Sequence, residues 1–160
     1  MTRDSRFQAE AELLGHSFDG EIKNGGNYVP VVRDRDQVFV SGQIPRVGNA
    51  IVVTGAAGED VDLSRAQTAA KICAMRALAL LQRSLGTLDS IKAIQRITVF
   101  VRSAADFTQQ SEVADGASEV LLRVLGEAGA HTRTSVGVLQ LPKGATVEID
   151  LIASTVPRDA

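Results

Sequence analysis

The stretch 131–153, HTRTSVGVLQLPKGATVEIDLIA, has the pattern of two β-strands joined by a tight turn. Apolar residues alternate with polar ones over much of TSVGVLQL and ATVEIDLIA, and successive side chains of a strand point to opposite faces of its sheet. Between them lies Pro142-Lys143-Gly144, whose proline and glycine supply turn geometry. The pattern therefore predicts strands over 134–141 and 145–153.

Two helices are predicted before this strand pair. Apolar residues recur at three- and four-residue steps after Asp62, which indicates a helix capped by Asp62 and ended by Gly86. A second helix is predicted from about 105 to 125. The two apolar faces consist of Leu63, Ala66, Ala70, Cys73, Ala77 and Leu80 in the first helix, and of Val113, Ala117, Val120, Leu121 and Val124 in the second.

The remaining segments complete an α+β pattern. A short helix over 7–14, closed by Gly15, is expected outside the sheet, and further strands are predicted at 28–32, 37–45, 50–53 and 91–101. This order predicts a mixed sheet with both longer helices on one face. We expect self-association to cover the other face. The residues expected there are Val99, Val101, Val136, Val138, Val147 and Ile149.

Composition narrows the possible functions. The 160 residues suit one domain, predicted at 27–156 after an N-terminal extension over 1–26. A net charge of −2, 4% aromatic residues and no tryptophan argue against general nucleic-acid binding. The single cysteine, Cys73, permits no intrachain disulfide, and no apolar run is long enough to span a bilayer, so we expect a cytoplasmic protein. His16 and His131 have no acidic companion at metal-ligand spacing, so no metal site is expected.

Three stretches occur together in a family-specific order: GNYVP at 26–30, VFVSGQIP at 38–45, and the closing stretch 131–153. Their order and wording resemble the Rid family of reactive-intermediate deaminases, the YjgF-type proteins. The resemblance covers most of the chain and implies a chorismate-mutase-like fold, assembled as a homotrimer with ligand clefts between subunits. It also implies hydrolysis of enamines or imines such as 2-aminoacrylate to a 2-oxo acid and ammonia, without a cofactor or metal.

The resemblance assigns catalytic positions to Arg133, Glu148 and Tyr28. Arg133 matches the family's substrate arginine, and a planar guanidinium can grip a carboxylate with two hydrogen bonds. Glu148 could activate the attacking water or protonate the departing nitrogen. Taken alone, Arg133 also fits a surface ion pair, and Glu148 and Asp150 also fit the solvated side of a strand.

Further residues are expected to shape the cleft. Tyr28 would reach the ligand across the subunit boundary; the alternative is a half-buried strand tyrosine. Ser41 and Gly42 would contribute a hydroxyl and an approachable backbone. Phe107 would wall the apolar side, unless it belongs to the core. Ser135 stands where many members carry cysteine and keeps the backbone carbonyl that family mechanisms use to hold water.

Two features leave the ligand open. The family's helix asparagine falls near Asp115 or Ser111, and an acidic residue there would disfavour a carboxylate substrate. His131 could line the mouth of the cleft, although the sequence favours an exposed loop position. The alternative function is a non-catalytic trimer that binds a small carboxylate metabolite as a sensor or partner protein, with Arg133 used only for recognition.

Overall fold

A five-stranded mixed sheet forms the centre of the protein, in a computed structural model that describes residues 1–157. The strand order is β1-β2-β7-β5-β6; β5 and β6 run parallel, and the other neighbours are antiparallel. A separate hairpin joins β3 to β4. The strands are β1 (Val31–Asp34), β2 (Gln37–Gln43), β3 (Arg46–Val47), β4 (Ala50–Ile51), β5 (Ile91–Arg102), β6 (Thr132–Val138) and β7 (Val147–Thr155).

Two long helices cover one face of this sheet, which confirms the α+β prediction. Helix α2 (Leu63–Leu85) begins at Asp62, whose carboxylate accepts a hydrogen bond from the Arg65 amide, and ends at Gly86. Helix α3 (Gln110–Leu125) begins later than predicted, because residues 104–109 form turns and extended chain before it. Small alanine side chains along α2 let it approach the sheet and α3 closely.

A third helix lies outside this layer. Helix α1 (Arg3–Leu14) begins with Thr2 as its cap, before the predicted start, and ends at Gly15, whose φ of 75° suits glycine. It packs against α2 and α3. Asp4 ties its first turn to the end of α2, accepting hydrogen bonds from Gln82, Thr87 and the Leu88 amide.

The side chains on the sheet face away from the helices differ in part from those predicted. Four of the six expected residues, Val99, Val101, Val147 and Ile149, point instead into the core and are at most 1% exposed. Strand alternation places the residues adjacent to these four in sequence on the opposite face, which the helices leave bare. Phe39 and Val136 lie on that bare face and are each 39% exposed. The predicted apolar face away from the helices is therefore right for Val136 and Val138. It is wrong for Val99, Val101, Val147 and Ile149, since in β5 and β7 the residues one position away lie on that face.

Candidate functional site

Gly42 and Glu148 are brought together by an irregularity between β2 and β7. Val40 pairs with Leu151, but Gln43 pairs with Ile149, so β2 carries one extra residue here. A Cβ on Gly42 would overlap with Oε1 of Glu148 and lie 2.9 Å from its Cδ. Only glycine therefore allows the Glu148 carboxyl group to rest against the β2 backbone.

The Glu148 carboxyl group has no partner in the described part of the chain. None of the hydrogen bonds or ion pairs among residues 1–157 involves its oxygens. Burial raises its pKa above that of an ordinary glutamate, and the negative charge of Asp150 raises it further. A half-buried carboxyl group with a raised pKa and free oxygens is suited to exchange protons with a ligand.

Glu148 lies in a cavity of about 240 Å³. Lys23 and Tyr28 line one wall from the segment between α1 and β1, and Lys143 lies opposite in the turn before β7. Arg46 and Arg76 complete the basic lining, so Glu148 is the only acidic residue among those that line the cavity. The site combines one acid–base group with several cations, which favours a small anionic ligand.

Arg133 lies elsewhere in the subunit and donates four hydrogen bonds to α3. Its Nη1 donates to Oδ1 of Asp115 and to Oγ of Ser118, each at 2.9 Å. Its Nη2 donates to Oγ of Ser111 at 2.9 Å and to the Ser111 carbonyl at 3.2 Å. Both candidates for the family's helix position, Asp115 and Ser111, therefore contact Arg133. The guanidinium already has a carboxylate partner in its own subunit.

The sheet register separates Arg133 from Glu148. Arg133 lies opposite Ile97 and points toward the helices, whereas Glu148 lies opposite Phe100 and points to the other face by strand alternation. Three residues along β5 correspond to about 10 Å. One subunit therefore does not bring these two side chains to the same small ligand.

The other predicted residues fall into two groups. Tyr28 is half-exposed and lines the Glu148 cavity, together with Gly42. Ser41 precedes Gly42 but lines a neighbouring surface hollow, and its amide donates to the Pro30 carbonyl. Phe107 packs against the core and over Gly58, away from Glu148. Ser135 lies two residues after Arg133 on the edge strand β6 and shares its face.

His131 is half-buried and belongs to the Arg133 cluster. Its Nε2 lies 2.8 Å from Oγ of Ser118, the same hydroxyl that contacts Arg133, and its Nδ1 lies 2.6 Å from the Gly129 carbonyl. The expected exposed loop position is therefore wrong, because this histidine is held between α3 and the start of β6. In residues 1–157 no cluster of three or more His, Cys, Asp or Glu side chains suits a metal ion, and no helix is long and apolar enough to cross a membrane.

Comparisons with known proteins decide the family. Residues 15–154 match the family described as "YjgF/chorismate mutase-like, putative endoribonuclease". The chain belongs to the YjgF family. The match begins at residue 15, so the predicted boundary between 26 and 27 remains a prediction.

One related protein matches this chain in sequence, and two solved structures match it in both sequence and fold. Protein TCP17 of Trypanosoma cruzi is 40% identical over 153 residues, covering 95% of this chain and 96% of that protein. The crystal structure of Atu1372 from Agrobacterium tumefaciens, described as of unknown function, is 37% identical with a TM-score of 0.85, covering 96% and 95% of the two chains. Escherichia coli TdcF with bound serine is 26% identical with a TM-score of 0.60, covering 86% and 92%.

Membership of the YjgF family bears on two earlier expectations. The chorismate-mutase-like fold is confirmed. The exclusion of nucleic acid is not supported, because the family description includes the word endoribonuclease.

Sequence reasoning missed the basic lining of the Glu148 cavity. Arg76 follows Cys73 by three residues and precedes Leu80 by four, so it lies on the apolar face of α2. A cation inside an apolar stripe was the available signal. Arg46 and Lys143 gave no such signal, because a two-residue strand and a three-residue 3-10 turn are too short to show a periodic pattern, and their direction depends on the tertiary fold.

Proposed function

We propose that this protein hydrolyses reactive imines of small 2-imino acids to 2-oxo acids and ammonia. The observation that carries the proposal is the half-buried Glu148 carboxyl group, which has no partner among residues 1–157 and is held against Gly42 in a small basic cavity. The related protein TdcF was crystallised with bound serine, which supports an amino-acid-sized ligand. The reaction class itself comes from the family resemblance.

The chemistry assigns Glu148 one proton path. As a carboxylate it accepts a proton from a water molecule while the water oxygen bonds to the carbon of the protonated imine and the C=N π electrons pass to the nitrogen. The resulting carbinolamine carries both the new hydroxyl and the amine. Glu148 then returns the proton to the nitrogen. The hydroxyl group gives its proton to solvent water as its oxygen forms the C=O bond, the C–N bond breaks, and ammonia and the 2-oxo acid leave. A raised pKa brings this carboxyl group closer to the working pH, where it can act in both directions.

The proposed assembly is a homotrimer in which a neighbouring subunit supplies Arg133 to the Glu148 cavity. Two observations support it: Arg133 and Glu148 of one subunit point to opposite faces of the sheet, and the bare face carries the exposed Phe39 and Val136. Arg133 would then clamp the ligand carboxylate, and Tyr28 would close the cavity. The cytoplasm remains the predicted compartment, consistent with the single, buried Cys73 thiol.

The test is a coupled assay of ammonia and 2-oxo acid release from 2-aminoacrylate generated by a dehydratase. Glu148→Gln keeps the shape of the side chain and removes its proton exchange, so we expect kcat to fall about 10²- to 10⁴-fold. Glu12→Gln, on the exposed side of α1, is the matched control and should keep the wild-type rate. Wild-type activity in Glu148→Gln would remove Glu148 from the mechanism.

The same variant has a stability signature. Because the folded-state pKa of Glu148 is raised, its contribution to stability is full below the unfolded-state pKa and is lost as pH rises through the folded-state value. At neutral pH the ionised side chain therefore weakens the fold. Glu148→Gln should unfold at a higher temperature than wild type at pH 7, and this gain should vanish near pH 4.

The competing functions give different results in the same experiments. A non-catalytic binder of small carboxylates would bind but would not accelerate imine hydrolysis above the uncatalysed rate. A ribonuclease would cleave single-stranded RNA at a rate that depends on the cavity residues. Light scattering tests the assembly separately, since a monomer would contradict the shared cleft.

A further inference from the structure

We infer that Arg76 and Arg46 form a second oxyanion-binding subsite beside Glu148, which holds a distal carboxylate or phosphate of the ligand within the subunit. This inference deepens the proposed function and rests on it for the reaction. The ligand class that follows is a small 2-imino acid with a second acidic group. The carboxylate next to the imine would remain with Arg133 of the neighbouring subunit.

The first observation is the state of the Arg76 guanidinium. Arg76 is 5% exposed, yet its one hydrogen bond among the described residues runs from Nη1 to the Arg46 carbonyl at 2.8 Å. Its Nε is buried without an acceptor. No carboxylate of residues 1–157 lies within 4.0 Å of it. Buried arginines are normally paired, because an uncompensated charge away from water is costly.

The second observation is the set of charged groups around Arg76. Burial lowers its pKa, and although the Cys73 thiol acts in the opposite direction, the positive charges of Arg46 and Arg83 lower the pKa further. Arg83 is held by the Phe18 and Gly20 carbonyls at 2.7 and 2.6 Å and brings no anion with it. The Arg46 Nε is also buried without an acceptor. A bound oxyanion would supply the acceptors that both guanidinium groups lack.

The third observation is the space beside these groups. A larger cavity of about 680 Å³ lies under the segment that follows α1 and is lined by His16 and Glu21 as well as by basic residues. Lys23, Arg46 and Arg76 line both this cavity and the one that contains Glu148. Arg76 therefore lies where the two spaces meet. A ligand whose imine carbon is near Glu148 can extend its far end to Arg76.

The burial of Arg76 also limits the kind of anion. A polyanion such as RNA binds to exposed cations along a surface, whereas a side chain that is 5% exposed can be reached only by a narrow group. Carboxylate and phosphate groups of small metabolites meet this condition and match the fork of a guanidinium. The chain as a whole carries a net charge of −2, so the concentration of positive charge here is local.

Direct binding tests the subsite without turnover. Isothermal titration calorimetry of the full chain at constant ionic strength would compare succinate, inorganic phosphate and propionate. We expect saturable binding of succinate or phosphate and at least about tenfold weaker binding of propionate. Tighter binding of succinate assigns the distal group as a carboxylate, and tighter binding of phosphate assigns it as a phosphate. Equal binding of all three probes, or none that saturates, would overturn the inference.

Two variants and one control locate the binding. Arg76→Met and Arg46→Met keep most of each side-chain stem and should each weaken the preferred probe at least about tenfold. Arg65→Met is the matched control, because Arg65 lies on the same helix and donates to the Val52 carbonyl but is exposed. If Arg76→Met does not fold, Arg46→Met decides, since the carbonyl that Arg76 uses is unchanged. Wild-type affinity in a folded Arg76→Met or in Arg46→Met would contradict the subsite.

Substrate preference links the subsite to the reaction. Imines generated from aspartate and from alanine by flavin oxidases differ in the second carboxylate alone. If the distal group is a carboxylate, we expect a higher kcat/KM for the aspartate-derived imine, and loss of that preference in Arg76→Met. Glu148→Gln should keep anion binding and lose hydrolysis. Binding without hydrolysis in wild type would overturn the proposed reaction alone, whereas hydrolysis without binding would overturn the subsite alone.

Discussion

Arg133 and Arg76 show two opposite ways to place an arginine in this protein. Arg133 stands on an edge strand, 20% exposed, and donates four hydrogen bonds to α3, two of them to Asp115 and Ser118. Arg76 is nearly enclosed, and one backbone carbonyl is its only acceptor among the described residues. Arg133 is thus satisfied by its own subunit, whereas Arg76 is left with free donors beside a cavity.

The difference bears on how binding residues are recognised. A satisfied arginine contributes to the fold and must give up partners before it can grip a ligand. An unsatisfied buried arginine weakens the fold and has donors available, which is the pattern expected where stability is exchanged for function. The sequence motif indicates Arg133 as a binding residue, whereas the unsatisfied hydrogen-bond donors in the structure indicate Arg76.

The largest effect concerns stability. Arg133→Met removes four donated hydrogen bonds and leaves the Asp115 carboxylate unpaired, so we expect a loss of about 1–3 kcal/mol in the free energy of unfolding. Arg76→Met replaces an uncompensated buried charge by an apolar side chain, so we expect a change within about 1 kcal/mol or a gain. Urea unfolding at matched protein concentration measures both. A larger loss in Arg76→Met than in Arg133→Met would reverse the contrast.

A smaller effect is expected from freeing Arg133. Asp115 is 64% exposed, so its ion pair with Arg133 is worth at most about 1 kcal/mol. Asp115→Asn removes this competing carboxylate and should lower KM for a 2-imino acid by roughly threefold, with little change in kcat. Glu112→Gln, one turn earlier on α3 and exposed, is the control. An unchanged or higher KM in Asp115→Asn would show that Asp115 helps Arg133 rather than competing with the ligand.

The smallest effect concerns pH. Asp150 adds to the raised pKa of Glu148, after burial, which is the larger cause. Asp150→Asn should therefore move the acidic limb of the kcat/KM profile to lower pH and leave the plateau nearly unchanged. Asp34→Asn, on the exposed strand β1, serves as control. A shift to higher pH would contradict the proposed interaction between the two carboxylates.

Much of the fold could be predicted from the sequence because its signals are local. The cap at Asp62, the stop at Gly86 and the apolar stripe between them define α2 within one or two residues. The sheet face on which each strand residue lies was harder to predict. In β5 and β7 apolar residues occupy both faces over part of their length, so alternation alone did not tell which of Val99 and Phe100 faces the helices.

The candidate site was predictable only in part, since its geometry is not local. The motif indicated Gly42 and Glu148, but their contact depends on an extra residue in β2 opposite β7. The basic wall combines Lys23, Arg46 and Arg76 from three distant segments, and no spacing rule connects them. The engagement of Arg133 by Ser111 and Ser118 likewise depends on how α3 lies over β6.

The hydrogen bonds of Asp4 reduce the conformational entropy of the chain segment that lines the Glu148 cavity. The segment between α1 and β1 carries Lys23 and Tyr28 and contains no helix or strand, so it is held at single points, such as the Phe18 and Gly20 carbonyls bound by Arg83, rather than by a ladder of backbone hydrogen bonds. With α1 clasped to the end of α2, this segment is a closed loop rather than a free tail, and fewer conformations compete with the one that lines the cavity. A proline substitution in α1, far from any ligand, would therefore weaken ligand binding, because the segment that lines the cavity would adopt more conformations.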